Sequence, residues 1–180
     1  NVTLVGIVNA DIGLGMPDFR AAERTFQLLT QAAGRAGRGG LPGIVVLQTI
    51  NPEHYAVRYS AIQDYELFYS KELHFRKVMR YPPFASLANV VFRSERQEEA
   101  LKMSGEIAEL LKDEKEGVRV LGPAEAPVPR VNKEFRYQML IKAAQRKTLA
   151  GILERIRKLA AERNWPATSL VIDVDPLNLL

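Results

Sequence analysis

Beyond Tyr81-Pro82-Pro83-Phe84 the hydrophobic pattern changes period in a fixed order, and that order leaves few folds open. Residues 86–92 read as a strand. Residues 95–112 place Ala100, Ile107, Leu110 and Leu111 on one face of a helix. A short strand is predicted at 118–121. From 135 to 143, Phe135, Tyr137, Met139 and Ile141 alternate with Arg136, Gln138, Leu140 and Lys142. That is the period of two that sends successive side chains to opposite sheet faces. A second helix is predicted at 147–163, with Leu149, Ile152, Leu153, Ile156, Leu159 and Ala160 inward, and a last strand at 169–174. Strand-helix-strand-strand-helix-strand is the ferredoxin-like, split β-α-β order, with both helices on one sheet face. Pro123, Pro127 and Pro129 predict a long connection between the second and third of these strands.

The first fifty residues read differently. Residues 2–8 are apolar and β-branched, the pattern of a buried strand. Asp18 is placed to cap a helix that runs to Ala33 and stops at Gly34. A second strand is predicted at 44–48. Strand, helix, strand is a parallel crossover unit, and one unit alone leaves edges unpaired, so a larger α/β lobe is expected around it. Residues 51–80 are helical, with a break near Gln63. The expected fold is thus α/β plus α+β: partial α/β lobe at 1–50, helical connector at 51–83, ferredoxin-like domain at 84–180.

Composition excludes several chemistries. There are no cysteines and two histidines, so no disulfide and no metal cluster is expected. His54 and His74 lie in separate helical segments, and no nucleophile triad or carboxylate pair stands out. No run approaches the length that spans a bilayer. A formal charge of +4 is compatible with nucleic acid without requiring it.

The helix before Gly34 leads into Gln31-Ala32-Ala33-Gly34-Arg35-Ala36-Gly37-Arg38. Two guanidinium groups three residues apart in a glycine-hinged turn suit phosphate oxygens. They equally suit the carbonyl end of a helix dipole. No phosphate-cradling Gly-x-x-x-x-Gly-Lys-Ser/Thr loop is present. A nucleotide would need another segment to hold it.

Gln-x-x-Gly-Arg-x-x-Arg resembles motif VI of superfamily 2 helicases. Asp18-Phe19-Arg20-Ala21-Ala22-Glu23-Arg24, Leu121-Gly122-Pro123 and Asp173-Val174-Asp175-Pro176 resemble the primosomal protein N′ (PriA) family of replication-restart helicases. The resemblance implies that residues 1–50 end a RecA-like lobe and that the parent is a cytoplasmic ATP-dependent 3′–5′ DNA helicase. It implies catalytic roles for Arg35, Arg38 and Gln31 at the γ-phosphate, with Asp11 matching an acidic loop residue of the second lobe. A turn-forming Asp is the other reading of Asp11. ATP, Mg²⁺ and zinc would be held by upstream residues, with no zinc ligand here, and the isolated fragment would not hydrolyse ATP. Implied partners are single-stranded and branched DNA, the single-stranded DNA-binding protein and other primosome proteins. Arg146, at the start of the last helix, is the candidate for that protein's acidic tail.

Two basic stretches are candidates for DNA. Lys77 and Arg80 lie among aromatics in residues 71–81, a mixture that suits single strands and equally an ordinary half-buried helix. Arg130, Lys133, Arg136 and Tyr137 lie on the proline-rich connection and the strand after it. Residues 95–116 hold eight acids against four bases and should repel phosphate. A non-catalytic DNA and protein docking module is the competing reading, and an RNA-binding sheet a third.

Overall fold

Two four-residue strands, Leu4–Ile7 (β1) and Ile44–Leu47 (β2), pair in parallel, with Leu4 opposite Ile44 and Ile7 opposite Leu47. The computed structural model describes residues 2–37, 42–114 and 117–179. They divide into two units, one ending at Val78 and one beginning at Met79. In the first, a parallel pair needs a crossover, and Asp11–Leu14 (α1) and Ala21–Ala33 (α2) supply its helices. Leu29 of α2 packs with Ala10 and Val57 against Ile7 and Leu47.

The expectation of a buried first strand is not met. Leu4 and Ile44 are each 62% exposed, because only the ends of the two strands receive helix cover. Asp18 is not the helix cap either. The helix starts at Ala21, and Asp18 accepts from the Arg20 backbone N–H at 2.9 Å and from Arg24 Nη1 at 2.9 Å. It therefore fixes the entry turn. Gly34 does end the helix, its N–H donating to Thr30 O at 3.0 Å.

Tyr55–Ala61 (α3) and Tyr65–Met79 (α4) are separated where Gln63 adopts a φ of 55°. Phe68 of α4 stacks on Phe26 of α2 at 4.0 Å between ring centroids, with Ala56 fully buried beside them. Arg76 joins Glu72 at 2.7 Å and also Glu23 of α2, and the Tyr55 hydroxyl donates to Glu72 at 2.7 Å. Phe68 and Glu72 are the buried positions of α4, so most of its length is solvated.

The second unit comprises Ser86–Ser94 (β3), Gln97–Leu110 (α5), Val118–Val131 (β4), Glu134–Ala143 (β5), Arg146–Glu162 (α6) and Leu170–Val174 (β6). The sheet order is β4-β5-β3-β6, and each neighbouring pair is antiparallel. α5 contributes Met103 and Ile107, and α6 contributes Leu149, Ile152 and Ile156, to a core over Val90, Phe92, Met139 and Ile141. Trp165 meets Phe92 edge-on at 6.4 Å.

The proline-rich connection is a strand. β4 runs for 14 residues through Pro123, Pro127 and Pro129, with register shifts between Leu121 and Ala124 and between Glu125 and Arg130. β4 is an edge strand, where a residue without an N–H is tolerated and bulges absorb the mismatch. Gly122 has a φ of 100°, and a Cβ there would lie 2.8 Å from Gln138 O.

Candidate functional site

Gln31 and Arg35 are both exposed at the carboxyl end of α2. The turn is held by backbone bonds, Arg35 N–H to Ala32 O at 3.1 Å and Gly37 N–H to Val2 O at 2.9 Å. Among the described residues no carboxylate pairs with Arg35, so its guanidinium is available to an outside anion. Arg38 lies outside the described residues.

Asp11 does not join that turn. It follows β1, beyond the carboxyl ends of the strands, whereas Arg35 precedes β2 at their amino ends. Its carboxylate accepts from Ile50 N–H at 2.9 Å, Asn51 Nδ2 at 2.8 Å and the Thr49 hydroxyl at 2.9 Å. The Ile50 N–H, foremost, holds its carboxyl below the ordinary value of 3.8. Asp11 thus staples the loop after β2 to α1. Of the residues expected around one nucleotide, the described ones fall at two ends of the sheet, Asp11 at one and Gln31 with Arg35 at the other, and Asp11 has the turn-forming contacts.

The basic residues of the hairpin separate by face. Arg130 lies over the Phe135 ring at 4.9 Å, a cation–π contact that leaves the guanidinium at the surface. Lys133 is exposed in the turn, where it and Asn132 take φ of 71° and 48°. Arg136 points to the other face, opposite Arg93, and donates to Val128 O at 3.3 Å. Tyr137 is not a base platform. It is 8% exposed on the helix-covered face, and Gln97 Nε2 donates to its hydroxyl at 3.0 Å. Its place beside cations in the chain suggested a DNA contact, but it shares the core with Met139 and Ile141, the face that strand alternation gives it.

Lys77 and Arg80 are exposed at the end of α4, near the exposed side chains of Phe75 and Val78. Arg80 ends the helix with a φ of 53°. Phe75 is solvated with Lys77, whereas Tyr81 is half-buried against Lys142. Arg146 opens α6 and lies 3.5 Å from Asp175 Oδ2, so it already faces a carboxylate of its own unit. Of the acids on and after α5, Glu106 pairs with Arg163 at 2.8 Å and Glu114 with Arg155. Arg155 of α6 and Arg163 just after it are therefore neutralised within their own unit.

Lys142 of β5 is 2% exposed. It donates to Met79 O at 3.1 Å and sits 3.2 Å from the centre of the Tyr81 ring. Burial, and then the charge of Arg119, push it down to about 8. Arg119 lies directly opposite in the ladder. Leu87 and Asn89 of the same sheet face are 0% and 6% exposed. No aromatic side chain of β3 or β5 is directed to this face, which removes the support for base stacking on an open sheet. Only the register, unreadable from one strand, brings Arg119 and Lys142 together.

No group of three or more metal-ligating side chains occurs among the described residues, and no described helix is long and apolar enough to cross a membrane.

Comparison with known proteins agrees with the motifs. The family described as Primosomal protein N C-terminal domain matches residues 77–177. The chain is 43% identical to the Replication restart protein PriA of Bacillus subtilis (strain 168), covering 100% of this chain and 23% of that protein. It is 42% identical to the protein of the same name from Treponema pallidum (strain Nichols), covering 98% and 27%. For the Borreliella burgdorferi relative the figures are 36%, 100% and 27%. The chain thus spans about a quarter of the length of these relatives. With a matched family domain over residues 77–177 and relatives that align along the whole of this chain, it belongs to the PriA family of replication restart proteins and carries that family's C-terminal domain.

Proposed function

We propose that this chain works within a replication restart helicase, where its first unit completes an ATPase site and its second binds DNA and partner proteins. The observation that carries the catalytic half is Arg35: exposed, without a carboxylate partner among the described residues, on a turn at the edge of a parallel β-sheet. On this reading β1, α2 and β2 are the closing part of a RecA-like lobe, and Arg35, Arg38 and Gln31 meet the γ-phosphate of ATP bound with Mg²⁺ by another segment. Zinc, too, is bound elsewhere. The strand order β4-β5-β3-β6 and the two helices on one face support a ferredoxin-like second domain. Single-stranded and branched DNA would follow Arg130, Lys133 and the end of α4. Arg146 is retained as the contact for an acidic tail of the single-stranded DNA-binding protein, in exchange for Asp175.

The test is Arg35→Ala or Arg38→Ala in the full-length helicase. ATP binding and DNA affinity should persist while turnover falls by about 10³ or more, the scale of an arginine finger. Unchanged turnover would leave the docking reading. That reading draws on the exposed cations and rings of α4 and the hairpin. It expects Arg130→Ala with Lys133→Ala to weaken DNA binding and flatten its salt dependence.

A further inference from the structure

The second unit contains a recess of about 420 Å³ lined by Arg80, Phe84, Arg119 and Lys142, together with small residues at 85, 117, 143 and 144. Its three charged side chains are all cations. Among the described residues no carboxylate pairs with any of them. Lys142 is almost fully removed from water, and its one hydrogen bond to a carbonyl leaves further N–H donors. Arg119 and Lys142 are directly opposed across an antiparallel pair, where like charges are destabilising. Burying an ammonium without a carboxylate adds to that cost. Stability alone would be served by an apolar residue at 142. An anion in the recess offsets both costs, because it is attracted to all three groups in a setting of reduced dielectric. Two exposed guanidiniums supply planar donor forks, and Lys142, which also lines the recess, supplies a buried positive charge.

We infer that the recess bounded by Arg80, Arg119 and Lys142 is a phosphate-binding site. It is separate from the Arg35 turn and from the Arg130–Lys133 hairpin, and it does not rest on the ATPase reading. Phosphate can reach it as a free ion, as a strand terminus or as an internal phosphodiester.

The experiment uses the 180-residue chain and inorganic phosphate at constant ionic strength, followed by NMR of arginine Nε and lysine Nζ resonances. The expected result is saturable shifts at Arg80, Arg119 and Lys142, with affinity reduced tenfold or more by Arg119→Ala and by Lys142→Met. The backbone spectrum reports whether each variant is folded. Arg119 is exposed, so its variant keeps the test decisive if Lys142→Met misfolds. Absence of saturable shifts, or equal affinity in the folded variants, overturns the inference. Competition by one oligonucleotide with and without a 5′-phosphate then identifies the source. Displacement by both means internal phosphodiesters, by the phosphorylated strand alone a terminus, and by neither the free ion; each presupposes the phosphate shifts. A chain that binds phosphate here but no DNA would sink the DNA reading and leave this site standing.

Discussion

His54 shows how one side chain couples a helix end to pH. Its Nδ1 accepts from Ala56 N–H at 3.2 Å, capping α3 in the manner usually left to Ser or Asn. Burial lowers its pKa below the ordinary 6.5, with Glu72 and Asp11 opposing. The unfolded chain then binds the proton more readily than the folded one, so stability rises with pH through this window and is lost on acidification below about 6.5. Urea denaturation of the first unit between pH 5 and 7.5 should show that slope, and His54→Asn should keep the cap while abolishing the slope. Arg76 acts through charge pairing, tying α4 to Glu23 of α2. Its side chain is 11% exposed between Glu72 and Glu23. Arg76→Met strands a buried carboxylate and should cost about 3 kcal/mol or more, readable as a lower urea midpoint.

Among the elements, α6 and β5 illustrate what the periodic pattern can tell. Leu149, Ile152, Leu153 and Ile156 were legible as one helix face and all are buried. Ile156 is fully buried in the core, so Ile156→Ala should destabilise the second unit by about 2–5 kcal/mol in denaturant unfolding. Of β4, residues 118–121 were legible as a strand and the remainder was not. Prolines read locally as a connection, because proline removes a ladder donor. An edge strand needs only one side of its backbone paired, and two register shifts let β4 continue past Leu121 to Arg130. Likewise α4 carries aromatics that pattern suggests are inward, yet Tyr65, Tyr69 and Phe75 stand 62%, 48% and 40% exposed. Their burial depends on neighbours that a helical wheel does not contain.

For the whole molecule, the two units differ in how they are held. The second has a single continuous core over a four-stranded sheet, while the first has small separate clusters around a two-stranded pair. Amide exchange should therefore be slowest in β3 and β5 and far faster in β1 and β2, since protection follows buried contacts. Uniform protection across both sheets would contradict this account.

The sequence by itself determined the order of elements, the helix faces and the arginine turn with its family. Those are properties of local periodicity and motif spacing. It could not determine that Asp11 lies at the opposite end of the sheet from Arg35, that β4 pairs on through its prolines, or that Lys142 is buried opposite Arg119. Only tertiary structure decided these, because strand register and sheet direction are set by contacts between residues far apart in the chain.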